Sequence, residues 1–184
     1  MNEGLISKRY AKALFDHAYD LGEETLLYHR MEMLEALWRR MPDLKNNLRS
    51  PMVSVKTKAN LLKNATGKHA EQSYLDFIDL IVANHRTDSI LMIALSYQMI
   101  YRKKKKISVV HLVSAKKLSH MAIKRIRRFT EQKTHSKVEF SNHIDPSIVG
   151  GFIYQLNDLR IDASVRGQLD RISGQLVQVN KSIL

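Results

Sequence analysis

The spacing of apolar and polar residues divides the chain into two parts with different periods. Over residues 1–106 the apolar side chains recur at intervals of three and four, which is the period of an amphipathic helix. Gly22, Pro42, Pro51 and Gly67 interrupt this pattern and are natural places for helices to stop. We therefore predict six helices, joined by short links into an antiparallel bundle, near residues 4–21, 24–41, 43–49, 54–65, 69–84 and 86–105.

Beyond residue 106 the period becomes that of short strands. Residues 107–115 and 137–144 are rich in β-branched and aromatic side chains and favour strands. Residues 151–156 and 159–163 flank Asn157-Asp158, a pair that tolerates positive φ and suits a tight hairpin. A basic helix is predicted over 116–133, with its inward side chains at Leu118, Met121, Ile126 and Phe129.

A last helix is predicted to follow Ser164, which is a favourable N-cap residue. Its apolar residues recur at intervals of four and three, at Val165, Leu169, Ile172, Leu176, Val179 and Ile183. This row of side chains would serve equally well as core or as a contact with another protein. The expected fold class is mostly α, with a six-helix bundle over 1–105 followed by a small α+β domain over 106–184.

Three helices of the first part have distinctive apolar patterns. The first and fifth have apolar arcs wider than the stripe that a surface helix of a monomer usually presents. Such a helix is either covered on two sides by its own bundle, or borders a groove that accepts a partner's helix. In the second helix, Leu27, Met31, Leu34, Trp38 and Met41 form a regular row typical of core packing, with Trp38 as an anchor.

The amino-acid composition restricts the cellular compartment and the binding partners to be expected for this protein. The chain has 184 residues, no cysteine and a formal net charge of +12. The absence of cysteine excludes disulfides and thiolate metal sites and fits a reducing compartment. No apolar run is long enough to span a membrane. Lysines and arginines interrupt the apolar residues near the start, so we do not expect a signal peptide there. The positive charge fits either a nucleic-acid partner or acidic protein partners.

No catalytic or cofactor motif is found in the sequence. It contains no phosphate-binding glycine loop and no nucleophile elbow, and no two of the eight histidines have the spacing of metal ligands on one helix face. Gly150-Gly151 precedes a strand instead of opening a helix, so a structural role in close backbone approach is favoured over phosphate binding. We expect no enzyme activity, no metal and no cofactor.

Two basic runs remain, at residues 102–106 and 124–128. The first lies at the end of the predicted sixth helix, where cations suit the helix dipole. The second surrounds the single inward residue Ile126 and is predicted to face solvent or a partner. Neither run has interleaved aromatic residues, so stacking on single-stranded bases is poorly supported.

The order of several blocks resembles a known family. These blocks are RYAKALF (9–15), SPMVSVKTKANLL (50–62), FIDLIVANHRTDSI (77–90), VSAKKLS (113–119), IDPSIVGGF (144–152) and LRIDASVRGQLDRI (159–172). Together they resemble the delta subunit of bacterial F-type ATP synthase, a relative of the mitochondrial oligomycin-sensitivity-conferring protein. The most specific residues are Gly150, Gly151, Asp162, Ser164 and Arg166.

The resemblance implies a non-catalytic stator subunit. Its N-terminal bundle would bind N-terminal helices of the alpha subunits, and its C-terminal domain would bind the b subunits of the peripheral stalk, so that proton flow is coupled to ATP synthesis. The alpha-binding groove would lie between the first and fifth helices, with contacts at Tyr10, Ala13, Leu14, Ile78 and Val82.

The same resemblance implies a location and an assembly state. The protein would be a peripheral component on the cytoplasmic face of the bacterial inner membrane, associated with the membrane only through the complex, and monomeric when isolated. No nucleic-acid partner is expected. The alternative is a basic RNA- or ribosome-associated protein, which the charge permits. Salt separates the two, because phosphate contacts weaken steeply with salt and an apolar groove contact does not.

Overall fold

The computed structural model describes residues 3–50, 52–67 and 70–181. The chain forms two compact units that meet in sequence between Lys105 and Lys106. Within the described residues it is mostly helical, with eight α-helices and one small four-stranded sheet that belongs to the second unit. The units, called unit 1 and unit 2 below, are described separately.

Unit 1 contains six α-helices in the described residues. They are α1 (Glu3–Asp20), α2 (Glu24–Arg40), α3 (Pro42–Arg49), α4 (Val55–Ala65), α5 (Gln72–Ala83) and α6 (Ile90–Lys105). A short 3₁₀ turn, Thr87–Ser89, precedes α6, where one continuous helix was expected. Ser54 caps α4, since its side chain accepts a hydrogen bond from the amide of Thr57 at 3.1 Å.

The core of unit 1 forms where α6 packs against both α1 and α2. Tyr97 and Tyr101 on α6 are buried, and their hydroxyls bond the backbone oxygen of Glu24 and the hydroxyl of Thr25 on α2. Trp38 is buried, which confirms its prediction as a core anchor. The assignment of Met41 to the same row was wrong, because α2 ends at Arg40 and Met41 is half-exposed in the link to α3.

Unit 2 is an α+β arrangement. Its elements are β1 (Ile107–Ser114), α7 (His120–Thr134), β2 (Lys137–Ile144), β3 (Phe152–Leu156), β4 (Leu159–Asp162) and α8 (Val165–Lys181), with a 3₁₀ turn at Pro146–Ile148. The strands lie in the order β2-β1-β3-β4, with β1 parallel to β2 and the other two pairs antiparallel. Asn157, at φ 49°, makes the two-residue turn between β3 and β4, as expected.

Helix α7 connects the two parallel strands and packs on one face of the sheet. The hydroxyls of Thr130 on α7 and Tyr154 on β3 lie 2.8 Å apart, and the guanidinium of Arg127 lies over the Phe140 ring. The alternate residues of β1 on this face, Val110 and Leu112, are fully buried. Together with Ile148, which is 5% exposed, they are the only buried large apolar side chains among the described residues of unit 2.

Two predictions about α7 were wrong. The helix begins at His120, after an N-cap at Ser119, because the Ser119 side chain accepts from the amide of Ala122 and residues 116–118 remain outside the helix. Met121 and Phe129, expected to face inward, are 63% and 60% exposed. The face turned toward the sheet is instead the one that carries Thr130, which bonds Tyr154.

Candidate functional site

Helix α1 uses two different faces, which explains the width of its apolar arc. One face is buried in unit 1 and carries Ser7, Ala11, Leu14, Phe15 and Ala18. A second row, Ile6, Tyr10, Ala13 and His17, is at least partly exposed. Helix α1 is therefore covered by its own unit on one face and presents a further apolar row outside it, so its apolar arc is wider than the core requires.

Helix α5 differs from its predicted role in the groove. Ile78 and Val82 are 0% and 4% exposed and belong to the core, where α5 also packs against α4. Phe77 and Leu80 lie beside residues of α1 instead; Leu80 is 50% exposed, whereas Phe77 is 4% exposed and belongs to the core as well. The wide apolar arc predicted for this helix is present on α5, but its residues divide between the core, at Ile78 and Val82, and the exposed side, at Leu80.

A groove lies between α1 and α5. One cleft of about 450 Å³ is lined by Ile6, Arg9, Tyr10, Ala13, Leu80 and Arg86. A second, of about 210 Å³, is lined by Tyr10, Ala13, Leu14, His17, Ser73, Asp76, Phe77 and Leu80. The two share Tyr10, Ala13 and Leu80, and together they form what we call the α1–α5 groove. Of the five predicted contacts, Tyr10, Ala13 and Leu14 line it, whereas Ile78 and Val82 do not.

The groove is apolar along its middle and charged at its ends. Arg9 and Arg86 line the end nearer the start of α1, and neither forms an ion pair with any residue that the structure describes. At the other end the His17 Nε2 atom lies 3.5 Å from a carboxylate oxygen of Asp76. Ala13 lies between these ends, where its small side chain leaves room for another backbone to approach.

The α5 wall of the groove is held by contacts to α2. A carboxylate oxygen of Glu23 accepts a hydrogen bond from the amide of Ser73 at 2.9 Å, which satisfies a donor in the first turn of α5. Hydrogen bonds from Ser73 lower the pKa of Glu23 below its usual range. The buried Arg30 on α2 pairs with Glu71 and donates to the carbonyl oxygen of Thr66 at 2.8 Å. These contacts fix where α5 begins.

A second exposed apolar surface lies on α8. Val165, Leu169 and Ile172 are 39%, 57% and 53% exposed. Their regular spacing was predicted without a decision between core and contact; among the described side chains this row is a surface. The side chains of Leu176, Val179 and Ile183, which continue the row, lie outside the described residues.

The glycine pair before β3 lies against the start of α8. Gly151 has φ +74°, and a Cβ there would lie 2.2 Å from the carbonyl oxygen of Ala163. The backbone oxygen of Gly150 accepts from the amide of Val165 at 3.0 Å. The close backbone approach expected at this pair is therefore present, and it joins the Gly150-Gly151 segment to the first residues of α8.

Asp162 and Ser164 build the N-terminal cap of α8. The amide of Gly167 donates to the Ser164 hydroxyl oxygen at 3.0 Å, as predicted for an N-cap, and that hydroxyl donates to Asp162 at 2.6 Å. Donation from Ser164 lowers the pKa of Asp162. Sequence reasoning missed Gly167, where a Cβ would lie 2.8 Å from Asp162 Oδ1. The spacing of Gly167, three residues after the N-cap Ser164, could have indicated its role in the sequence.

Arg166 reaches a neighbouring turn instead of this cap. It contacts the carbonyl oxygen of Ser147 at 3.5 Å, in the turn that follows Asp145. The Asp145 side chain accepts from the Ser147 amide at 2.9 Å, and the hydrogen bonds from Ser147 lower the pKa of Asp145. All five signature residues thus lie around the β2–β3 and β4–α8 connections.

Two other kinds of site are absent from the described residues. In the part of the chain that the structure describes, no three histidine or acidic side chains come together in a way that could hold a metal ion. Among the same residues, no helix is both long and apolar enough to cross a bilayer.

Two units, each with an exposed apolar surface suited to a helix, define the class of a protein-binding adaptor. A family model described as ATP synthase delta (OSCP) subunit matches residues 6–176. The chain belongs to this family, whose members are structural components of ATP synthase and not its catalytic subunits. The resemblance seen in the sequence is thereby confirmed.

Relatives and a solved structure agree with this assignment. ATP synthase subunit delta of Bacteroides thetaiotaomicron is 38% identical over all of both chains, and that of Phocaeicola vulgatus is 35% identical over 98% of each. A chain in the cryo-EM structure of the Toxoplasma gondii mitochondrial ATP synthase hexamer superposes with a TM-score of 0.71. That chain is 22% identical, and the match covers 96% of this chain and 98% of that one. At this identity the likeness concerns the fold.

Proposed function

We propose that this chain joins the catalytic head of an ATP synthase to its peripheral stalk. The six helices of unit 1 would act as one bundle that binds the N-terminal helix of an alpha subunit, and unit 2 would bind the b subunits. The observation that carries the proposal is the α1–α5 groove, an apolar channel with charged ends on a chain of this family.

The groove has the dimensions and chemistry for a short amphipathic helix. From Ile6 to His17 it follows twelve residues of α1, a rise of about 16 Å or three helical turns. A partner helix would bury apolar side chains against Tyr10, Leu14 and Leu80, with its backbone closest at Ala13. In this proposal Leu80 replaces the predicted Ile78 and Val82 as the exposed contact on α5, and the buried Phe77 lines the floor of the groove beneath it.

The charged ends of the groove would orient the partner. Arg9 and Arg86 have no acidic partner among the described residues, so carboxylates on the incoming helix would meet them at that end. Charges at the rim of an interface act mainly on orientation and association rate. Binding should therefore depend chiefly on the apolar middle and only weakly on salt.

Unit 2 would contact the stalk through exposed apolar residues such as Leu169 and Ile172 on α8. Resisting rotor torque requires a static link, and burying these residues against a stalk helix would contribute to one. With this role the protein lies at the cytoplasmic face of a bacterial inner membrane, held there by the complex, and is monomeric when isolated.

The test compares Ala13→Arg with Ala36→Arg in the full-length chain. Both positions are exposed on helices, but only Ala13 lines the groove. Titration with a peptide from the alpha-subunit N-terminus of the same organism should show affinity lowered by at least about tenfold for Ala13→Arg, since about 1.4 kcal/mol is sufficient. Ala36→Arg should bind like wild type.

Two controls make the result decisive. Circular dichroism should show that both variants are folded, because both substitutions are on the surface. Equal affinity of a folded Ala13→Arg variant and wild type would reject the groove. Absence of peptide binding by wild type, together with salt-sensitive capture of RNA, would favour the RNA-binding alternative.

A further inference from the structure

Helix α7 carries several cations that form no ion pair within the described part of unit 2. Between His120 and Thr134 the helix has five cations, Lys124, Arg125, Arg127, Arg128 and Lys133, and one acid, Glu131. All five cationic residues are exposed. None of them forms an ion pair with a residue that the structure describes.

The arrangement of these cations is regular. Met121, Arg125, Arg128 and Gln132 follow one another at spacings of four, three and four, so they form one row along the helix. Thr130, which bonds Tyr154 on the sheet, marks the opposite side. Phe129 lies beside the outward row, with the ammonium group of Lys133 over its ring at 5.9 Å.

The outward face therefore combines two arginines with two exposed apolar side chains. Met121 and Phe129 are 63% and 60% exposed, although both belong to residue types that usually avoid water. Arginine presents a planar set of donors that fits a carboxylate with two hydrogen bonds. A surface with this composition is complementary to an acidic helix that also carries apolar residues.

We propose that α7 is the electrostatic part of the stalk-binding surface and receives an acidic, amphipathic helix of the b subunit. Carboxylates of that helix pair with Arg125 and Arg128, and its apolar residues cover Met121 and Phe129. The proposal rests on the function proposed above and assigns to the basic helix a partner of defined chemistry. Over fifteen residues α7 offers a contact about 22 Å long.

The other anionic partners fit this face less well. A helix that lies in a membrane surface buries one continuous apolar face, whereas here arginines occupy the centre of the row between Met121 and Phe129. Single-stranded RNA needs several aromatic rings for base stacking, and the outward row offers only Phe129 beside it. A protein helix with mixed acidic and apolar residues satisfies both kinds of side chain.

The experiment measures binding of the full-length chain to the soluble part of the b subunit from the same organism, at low and high salt. Arg125→Glu/Arg128→Glu should weaken binding at least about tenfold at low salt and flatten the salt dependence, because reversed charges repel the acidic helix. Lys103→Glu/Lys104→Glu changes the net charge equally on α6 and should bind within about twofold of wild type. Arg125→Lys/Arg128→Lys should show an intermediate loss, since charge remains without paired hydrogen bonds.

The outcomes separate this inference from the proposed function. If wild type binds the b subunit and the double glutamate variant binds equally at both salt concentrations, α7 is not part of the surface, and the stalk role stands. If wild type does not bind the b subunit, the proposed function and this inference both fail. If the α6 control loses as much affinity for the b subunit as the α7 variant does, net charge alone acts, and the inference about α7 is overturned. Hydrogen exchange in β1, β2 and β3 that matches wild type shows that unit 2 of each variant is folded, and unchanged binding of the alpha-subunit peptide shows the same for unit 1.

Discussion

Units 1 and 2 use their apolar residues in opposite ways. In unit 1 about half of the large apolar side chains are buried, and among the described residues the fully buried ones lie almost entirely there. In unit 2 the two helices and the sheet edge expose residues such as Met121, Phe152, Ile161 and Leu169. Unit 1 thus has a core of its own beside its groove, whereas unit 2 has much apolar surface still to bury, which predicts a stronger dependence on partners.

The largest expected effect comes from the buried ion pair of unit 1. Glu71→Gln leaves the guanidinium of Arg30 buried without its counter-charge and should lower the stability of unit 1 by about 3–5 kcal/mol. Hydrogen exchange measured by mass spectrometry should show loss of protection in α2 and α5. Asp79→Asn, which removes an exposed pair with Lys63, should cost about 1 kcal/mol or less. Equal losses of stability in the two variants would show that the buried Arg30–Glu71 pair contributes no more than the exposed Lys63–Asp79 pair.

The same truncation in each unit tests the contrast in packing directly. Ile81→Ala removes a fully buried side chain from α5 and should cost about 2–5 kcal/mol. Ile161→Ala removes a half-exposed side chain from β4 and should cost less than about 1 kcal/mol in the isolated protein. Urea unfolding of each variant gives both values. A large cost at Ile161 would show that unit 2 depends on this residue for its own fold.

Two glycine substitutions within unit 2 are expected to change stability by smaller amounts. Gly151→Ala forces a Cβ against the carbonyl oxygen of Ala163 at positive φ and should cost about 1–3 kcal/mol. Gly174→Ala lies in α8 with no atom near the new Cβ and should raise stability by about 0.5–1 kcal/mol. Faster hydrogen exchange in β3 and β4 should reveal the destabilisation caused by Gly151→Ala. Opposite signs are expected, and a neutral Gly151→Ala would contradict the close approach.

The smallest effect is a pH dependence at the start of α8 in unit 2. The pKa of Asp162 is lowered by hydrogen bonds from Ser164, so the folded state favours the ionised carboxylate. Its contribution to stability is present above the unfolded pKa, near 3.9, and is lost as pH falls through the lower folded value. Amide protection at the start of α8 should therefore fall below about pH 4, and Asp162→Asn should remove this dependence. Equal acid sensitivity in the variant would assign it to other carboxylates.

Sequence patterns predicted the helices of unit 1 well because each helix is long enough to repeat its apolar spacing several times. They failed where the decision depends on distant residues. Thr130 is buried on α7 because it meets Tyr154, and no local pattern indicates that contact. Met121 and Phe129 were assigned inward on apolarity alone, although neither is covered.

The residues that line the cleft from α1 were expected from the sequence, whereas those from α5 were expected only in part; that a partner helix binds there stays a prediction. The exposed row of α1, with Tyr10 and Ala13, follows from an arc too wide for one neighbour. On α5 the residues Ile78 and Val82 were indistinguishable in sequence from Phe77 and Leu80, and only the packing of α4 and α1 separates core from groove. An amphipathic row such as that of α8 has the same pattern whether it faces a core or a partner.

The position of α6 in unit 1 has a consequence for the order of synthesis. Helices α1 and α2 both pack against α6, and the hydroxyl of Tyr97 bonds the backbone of Glu24, 73 residues earlier. On a translating ribosome the first two helices therefore emerge well before the surface that covers them. Unit 1 is expected to become stable only after Lys105 has left the exit tunnel, and until then its apolar faces are exposed to chaperones.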